Sequence, residues 1–315
     1  PGSWIQAQMR GRVLFAARSP WEDLQCLRCV DNIYLHLAWL KIGLHKADLD
    51  ELTESIDGID FPRLLHRKSV RQTKAIVNAS RSGAHRFSRF DAAHAVLRGL
   101  TNFHGFVPGT PEAHDFNFRL DVIDHDALLS LKLTAAAFRF RGQRTFSRAA
   151  LRPPIAHALV WLSEPTPDDV FLDPFCGSGT IPAERATYPA ASITGGDISP
   201  AAVKAAKHNA PAQVSIRPMD ACDLRDIASG SVSSIVTNLP WGKQITPEQD
   251  IERLYSKFLC ETKRVMAITG RAIMLTDQKE ALEQGCSEAQ LQCQTLYSIS
   301  LHGALASIYL VRHAI

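Results

Sequence analysis

No stretch of the 315-residue chain is apolar for the length that a membrane-spanning helix needs. The most apolar early run, from Ile33 to Leu44, is interrupted by His36 and Lys41. We expect no signal peptide before it, because residues 9–12 lead into a mixed segment rather than an apolar core. The sequence therefore predicts no contact with a membrane.

Paired cysteines are also lacking. The seven cysteines are scattered and odd in number, which argues against a disulfide framework and favours a reducing compartment, the cytoplasm. Cys26 and Cys29 form one C-x-x-C pair, but no second pair follows at the spacing of zinc ligands. The sequence therefore predicts no metal site.

The charge is unevenly distributed, although the net charge is only +3. Residues 61–152 hold 16 Lys or Arg against 6 Asp or Glu, whereas the rest of the chain holds 19 against 26. A basic middle between acidic flanks is typical of a module that binds a polyanion. We therefore favour nucleic acid as a partner over a merely solvated basic surface.

The N-terminal half shows mixed periodicity, which predicts an α+β region. Apolar residues at helical spacing predict helices, and alternating or β-branched runs predict strands. Helices are expected over 21–40, 48–56 and 91–100, the last with Asp91 as N-cap and Gly99 near its end. Strands are expected over 74–79, 117–123 and 127–134, with a helix as the alternative for the last because of its run of leucines. Residues 81–86 are expected to form a polar loop.

After Arg152, strand-like and helix-like segments alternate, which predicts an α/β domain with a mostly parallel sheet. The expected strands are 170–173, 192–197, 214–217, 234–238, 271–275, 294–300 and 306–311, and the expected helices are 154–163, 180–187, 200–209, 248–265 and 277–284. The last two strands should be antiparallel, because their link is too short for a parallel crossover.

The first chemical motif is an apolar strand that ends in an acidic residue and enters a glycine-rich turn and a helix. Its candidate ligand-binding residues are Asp173, Phe175, Cys176, Gly177, Ser178, Gly179 and Thr180. Cofactors bind at such turns in open α/β sheets. The turn lacks the G-x-G-x-x-G spacing of a dinucleotide site, and the acidic residue suits a cationic cofactor better than a pyrophosphate.

Two more acidic positions follow the next two strands. Asp197, which precedes Ile198, can accept both hydroxyls of a ribose. Asp220, which precedes Ala221, can accept from an adenine amino group. Each signal is weak alone, but their order on successive strands is a strong indication of a nucleoside-binding site.

The fourth motif, Asn238-Leu239-Pro240-Trp241, determines the expected reaction. Methyl transfer to an exocyclic amine needs a weakly nucleophilic lone pair to be aimed at the donor. The Asn238 side-chain oxygen and the Leu239 carbonyl can accept the two N–H groups, Pro240 stiffens the turn, and Trp241 offers a face for stacking. Catalysis is then mainly positioning, with no obligatory general base.

These four motifs resemble those of class I S-adenosylmethionine-dependent methyltransferases that modify amino groups, whose fourth motif is usually N/D-P-P-Y/F/W. Leu239 departs from the first proline, a mild change because only its backbone carbonyl is used. The resemblance implies a Rossmann-like catalytic domain with S-adenosylmethionine as cofactor. It also implies that Asn238 contacts the cofactor in addition to the amine. No Pro-Cys follows the strand, so attack on a pyrimidine by Cys176 is not expected.

The preceding region resembles the THUMP RNA-binding domain, on residues 81–87, 118–124 and 127–131 and on the junction 148–154. The resemblance implies an incomplete N-terminal ferredoxin-like domain over 1–62, a THUMP domain over 63–150 and a methyltransferase domain over 151–315. Within the THUMP region, phosphate contacts are expected from four residues: Arg81, His85, Arg86 and Arg89.

Proteins of this kind methylate guanine N2 in tRNA. The resemblance therefore implies N2-methylation of a tRNA guanosine at position six, with position ten, or ribosomal or another structured RNA, as alternatives. A monomer is expected, with an accessory subunit not excluded. A DNA or protein amino-methyltransferase, a catalytically inactive RNA-binding protein and a nicotinamide oxidoreductase are the rival functions.

Overall fold

The structure is a computed structural model that describes residues 3–9, 11–66, 69–135, 137–141, 150–241, 250–301 and 303–314. The chain forms two compact units, one of residues 1–27 and 32–136 and the other of residues 28–31 and 137–315. Within the described ranges, no helix combines the length and the apolar character that crossing a membrane requires.

The N-terminal unit is built on a five-stranded sheet. Its elements are β1 (Trp4–Met9), β2 (Arg12–Ala16), α1 (Trp21–Leu24), β3 (Tyr34–Lys41), α2 (Asp48–Ser55), α3 (Phe61–Leu64), β4 (Lys74–Ser82), α4 (Arg89–His104), β5 (Val107–Pro108), β6 (Phe116–Ile123) and β7 (Asp126–Lys132). The strand order is β3-β7-β6-β4-β5, and β1 and β2 form a separate antiparallel hairpin. Leu52 of α2, its C-cap Ile56, and Val96 and Leu100 of α4 belong to the same buried cluster as Phe118 of β6.

The expectation of a single helix over 21–40 is wrong. The helix ends at Leu24, and residues 34–41 instead form β3, which pairs antiparallel with β7. Helical spacing of a few apolar residues does not exclude a strand, and sheet pairing decides between the two. Because β3 lies in the sheet of β4, β6 and β7, one sheet spans the predicted domain boundary at residue 62. The three-domain division itself stays a prediction.

The ends of α4 also differ from the expectation. Ser88 is the N-cap, and Asp91 is the third helical residue, whose carboxylate completes a capping box with Ser88. The helix runs past Gly99 and ends at Gly105, which has a φ of 70°. Gly99 is buried, and a Cβ there would lie 2.7 Å from the Thr53 carbonyl oxygen of α2. That glycine therefore permits close helix packing and does not end the helix.

The C-terminal unit confirms the expected alternation. Its elements are α5 (Pro153–Leu162), β8 (Val170–Asp173), α6 (Thr180–Arg185), β9 (Ser192–Asp197), α7 (Pro200–Asn209), β10 (Val214–Pro218), β11 (Val232–Asn238), α8 (Ile251–Val265), β12 (Met266–Thr276), α9 (Lys279–Glu288), β13 (Leu291–Leu301) and β14 (Ala304–His313).

The sheet of this unit has the order β10-β9-β8-β11-β12-β14-β13. All its pairings are parallel except those of β14, which is antiparallel to both β12 and β13. The antiparallel pairing of β13 with β14 confirms the expectation for the last two strands. The strand order reverses between β8 and β11, and the carboxyl ends beside such a switch point form a crevice in which ligands bind.

Candidate active site

A cavity of about 660 Å³ lies at the carboxyl ends of the parallel strands in the C-terminal unit. Most of the residues predicted to bind cofactor or substrate line it: Phe175, Cys176, Gly177, Ser178, Thr180, Asp197, Ile198, Asp220, Ala221, Asn238 and Pro240. Four others, namely Asp173, Gly179, Leu239 and Trp241, do not line it. The fold thus brings motifs that are up to 65 residues apart in sequence to one cleft.

The glycine-rich turn forms one wall. Gly177 and Gly179 have φ values of 53° and 82°, a backbone region that glycine enters without strain. The Cys176 N–H donates to the Gly196 carbonyl at 2.8 Å, which fixes the turn to β9. The hydroxyl of Ser178 is buried and has no partner among the described residues, so a ligand in the cavity can satisfy it.

Cys176 is not an activated nucleophile. Burial raises the pKa of its thiol, and the nearby Asp173 and Asp197 carboxylates raise it further. The thiol therefore stays neutral at physiological pH, which agrees with the expectation that it forms no covalent intermediate.

Asp197 is held by the backbone. One carboxylate oxygen accepts from the Gly177 N–H at 3.0 Å and the other from the Ser199 N–H at 2.9 Å. Each oxygen keeps a further acceptor site, so the carboxylate can still bind a diol. The adjacent Ile198 lines the same cavity and is 74% exposed, an apolar surface that a bound nucleoside would cover.

Asp220 occupies the corresponding place after β10. It is exposed, and its Oδ1 accepts from the Cys222 N–H at 2.9 Å. This bond orients the carboxylate and leaves its second oxygen available to an amino group of a ligand.

The Asn238 turn is fixed from both sides. The Leu239 N–H donates to the Leu275 carbonyl at 3.0 Å, and the Pro240 carbonyl accepts from the Tyr255 hydroxyl at 2.8 Å. The Asn238 side-chain oxygen accepts from the Trp241 indole N–H at 3.2 Å. The Trp241 ring is half-buried and does not line the cavity, so its stacking on a base stays a prediction.

Three residues of α8 and its N-cap Asp250 complete the wall, and sequence reasoning did not find them. Asp250, Arg253, Leu254 and Lys257 line the cavity at helical spacing. The helical spacing of these residues was visible in the sequence. No neighbouring residue, however, indicated which face of the helix would meet the strand ends.

The four residues expected to contact RNA lie in the N-terminal unit. Arg81, Arg86 and Arg89 are exposed, and the Arg89 guanidinium lies 4.8 Å from the ring centroid of the exposed Phe90. His85 differs from the expectation, because the residue is only 9% exposed and its Nε2 lies 2.6 Å from the Asp124 carbonyl oxygen. Its place is structural, so the phosphate contact proposed below uses only the arginines.

Comparison with known proteins decides the family. The family model of UPF0020, an RMKL-like methyltransferase domain, matches residues 141–307, just over half of the chain. The chain belongs to this family. Because UPF0020 is a methyltransferase domain and the sheet is that of class I methyltransferases, S-adenosylmethionine is the indicated cofactor.

Two curated relatives are tRNA methyltransferases by name. The mouse tRNA (guanine(6)-N(2))-methyltransferase THUMP3 is 29% identical over 63% of the chain, and the tRNA (guanine(6)-N2)-methyltransferase of Thermus thermophilus is 28% identical over 88%. The matched regions cover 43% of the mouse protein and 82% of the bacterial one. The chain therefore matches less than half the length of the mammalian relative.

Two solved structures share the fold of this UPF0020 protein. TrmN from Thermus thermophilus has a TM-score of 0.80 at 24% identity, covering 100% of this chain and 92% of its own. SMU.472, in complex with SAH, has a TM-score of 0.70 at 18% identity, covering 90% and 85%. The expected Rossmann-like catalytic fold is confirmed.

The buried Tyr255 holds the turn of residues 238–241 through a directed hydrogen-bond chain. Its single hydroxyl hydrogen is donated to the Pro240 carbonyl, and its oxygen lies 2.7 Å from the Thr276 hydroxyl. The Thr276 oxygen already accepts from the Gln278 N–H at 2.9 Å. Because the only hydrogen of the Tyr255 hydroxyl is donated to Pro240, the Thr276 hydroxyl must donate to Tyr255. Each group of this hydrogen-bond chain therefore has a partner.

We expect Tyr255→Phe to lower turnover about tenfold, because the freed Pro240 carbonyl lets the turn move. Leaving that half-buried carbonyl without a partner should also cost about 1 kcal/mol of stability. The matched control is Tyr309→Phe, which changes another fully buried tyrosine of the same core. Turnover and thermal unfolding are measured for both variants. An equal loss of turnover in the two would contradict a specific role for Tyr255.

The carboxyl of Asp173 makes a pH-dependent contribution to the stability of the folded protein. The carboxyl is fully buried, and its Oδ2 has no partner among the described residues. Burial raises its pKa to about 7, and the neighbouring Asp197 adds to the increase. The pKa of Asp173 in the folded protein exceeds the value of about 3.9 in the unfolded chain. The contribution of this carboxyl to the free energy of unfolding is therefore fully present below pH 4 and is lost as the pH rises through 7.

We expect the free energy of unfolding of the wild type, relative to Asp173→Asn, to fall by up to about 1.4 kcal/mol per pH unit between pH 4 and 7. Asparagine cannot ionise, so the substitution removes the pH dependence that the Asp173 carboxyl contributes. Denaturant unfolding at several pH values measures the difference. Parallel stability curves for the two proteins would show that Asp173 does not titrate in this range.

Proposed function

We propose that this protein uses S-adenosylmethionine to methylate the exocyclic N2 amino group of a guanosine in tRNA. The observation that carries the proposal is the geometry of one cavity. Asn238 and Pro240 of an amine-accepting turn line it together with Asp197 and Asp220 at neighbouring strand ends. The names of the mouse and Thermus thermophilus relatives support the guanine N2 specificity.

The residues present fit the cofactor. Asp197 has the place and the free acceptor sites for the ribose, Asp220 has a free oxygen for the adenine amino group, and the unpartnered Ser178 hydroxyl can bind a polar atom of the ligand. A cationic ligand nearby would favour the ionised form of the buried Asp173 carboxyl, whose pKa burial raises to about 7. When bound, the cofactor supplies an electrophilic methyl group on its sulfonium.

The chain's own part in the reaction is to orient the amine. The Asn238 oxygen has two lone pairs, of which the Trp241 N–H occupies one. The second can accept one N–H of the guanine amino group, and the Leu239 carbonyl can accept the other. The nitrogen lone pair then points away from both acceptors, and Trp241 is the proposed stacking partner of the base. No cysteine or general base is needed.

The proposed substrate is a folded tRNA, held by the N-terminal unit. The basic segment of residues 61–152 and the exposed Arg81, Arg86 and Arg89 support this assignment. We propose a ferredoxin-like domain over 1–62, a THUMP domain over 63–150 and a methyltransferase domain over 151–315. The seven free cysteines support a cytoplasmic location, and we propose a monomer.

Mass spectrometry of nucleosides from tRNA incubated with the protein and labelled cofactor tests the proposal. We expect N2-methylguanosine, with position six as the target and position ten as the alternative. Matched transcripts separate the positions: adenosine in place of guanosine six should abolish the product, and the same change at position ten should not. A different methylated nucleoside would overturn the substrate assignment. Tight tRNA binding without product would favour an inactive RNA-binding protein.

A further inference from the structure

The wall formed by α8 carries charge that the cofactor does not explain. Arg253 and Lys257 are the cationic side chains among the cavity-lining residues that the structure describes. They lie one turn apart on the same face of the helix, about 6 Å along its axis. The other charged lining residues are Asp197, Asp220 and Asp250.

Neither cation is engaged by another side chain or carbonyl among the residues that the structure describes. Within residues 150–241 and 250–301, no hydrogen bond or ion pair of the Arg253 guanidinium or the Lys257 ammonium occurs. The Arg253 backbone N–H does bond Asp250, at 3.1 Å, and this bond caps the helix. Elsewhere on α8, by contrast, Arg264 binds Glu261, and Lys263 binds Gln290. Two free cations on one face of a cavity indicate an anionic ligand.

The cofactor is a poor candidate for that ligand. S-adenosylmethionine has a net positive charge, with one carboxylate against a sulfonium and an ammonium. The positive charge of Lys257 opposes the rise that burial causes in the pKa of the Cys222 thiol, so the two side chains lie near each other. Cys222 is two residues after Asp220, at the end of the cavity proposed for the uncharged adenine. Both cations are also exposed, whereas the turn at Cys176 and Ser178 is buried. A ligand held at this rim remains in contact with solvent.

We propose that Arg253 and Lys257 form a phosphate-binding site that holds the RNA backbone beside the nucleotide entering the cavity. This inference rests on the proposed function. A nucleotide whose base reaches Asn238 leaves its charged phosphates at the cavity mouth, where they stay hydrated. Cations at the rim stabilise that arrangement without approaching the sulfonium, and they supply binding where a paired base has to leave its helix.

The variants Arg253→Ala, Lys257→Ala and the double variant test this site in the full chain. The matched control is Lys263→Ala, which removes the same charge from the same helix away from the cavity. Equilibrium binding of unfractionated tRNA is measured over a range of salt concentrations. Calorimetric titration with S-adenosylmethionine and the kcat and KM for tRNA complete the comparison.

We expect each single variant to weaken tRNA binding roughly 3- to 10-fold and to flatten the dependence of log K on log salt by about 0.7 to 0.9. The KM for tRNA should rise, while cofactor affinity stays within about twofold of the wild type. Arg253→Lys and Lys257→Arg should retain most of the affinity, because charge matters more than shape at an exposed phosphate contact.

Weaker cofactor binding with unchanged tRNA binding would overturn the inference and assign the cations to the cofactor carboxylate. Unchanged binding of both ligands, or an equal loss in Lys263→Ala, would also overturn it. If the wild type methylates no RNA, the proposed function fails. The tRNA-binding measurement needs no turnover and still decides whether the phosphate site exists.

Discussion

Asn238→Ala is expected to lower turnover by a factor on the order of 100 or more, while cofactor affinity changes by less than about twofold. Asn238 lies at the end of β11 and lines the cavity, and its side chain is the proposed acceptor that orients the amine. The turn that follows it is held by Leu275 and Tyr255. Removing the amide leaves the turn in place but takes away the acceptor, so binding of the cofactor survives and transfer does not.

Two further variants sharpen this test. Trp241→Phe keeps an aromatic ring but removes the N–H that Asn238 accepts, so we expect a smaller loss of roughly tenfold. Asn78→Ala makes the same substitution at an exposed asparagine of β4 in the other unit and should leave turnover unchanged. Single-turnover rates and calorimetry provide both readouts. Wild-type rates in Asn238→Ala would remove the amino-methylation mechanism.

The second large effect concerns cofactor binding. Asp197→Ala should weaken it by about 1–3 kcal/mol, because the ribose hydroxyls lose a charged acceptor. The substitution also leaves the N–H groups of Gly177 and Ser199 without the acceptor that the Asp197 carboxylate provides. The glycine-rich turn is then less well ordered, which adds to the cost.

The matched control is Asp168→Ala, which removes an exposed carboxylate that does not line the cavity. We expect unchanged affinity for that variant in calorimetric titrations with S-adenosylmethionine. Asp197→Asn separates charge from shape, because the amide keeps one acceptor oxygen. Equal affinities of wild type and Asp197→Ala would exclude the ribose assignment.

Much of the catalytic unit was predictable because its signals are local. An apolar strand, an acidic end and a glycine-rich turn are adjacent in sequence, and Asp197 and Asp220 each follow a strand directly. Parallel strands place their carboxyl ends at one edge, so the order of the motifs alone predicted that they would meet.

The N-terminal unit was less predictable because its decisive contacts are distant. Residues 34–41 have no local signal that separates strand from helix, and pairing with β7, about 90 residues later, selects the strand. Gly99 reads as a helix end in the sequence, yet its role is to admit the Thr53 carbonyl of another helix. His85 lies in a polar, arginine-rich segment, and only the fold turns its ring towards Asp124.

By itself, the sequence determined the α/β class, the four motifs of the catalytic cleft and the uneven charge, since each depends on residues close in the chain. Only the tertiary structure decided that Tyr255 fixes the Pro240 carbonyl and that Trp241 donates to Asn238. It also brought Arg253 and Lys257 to the cavity. The physical reason is that hydrogen-bond direction, burial and the face of a helix depend on which elements pack together, and that packing joins residues far apart in sequence.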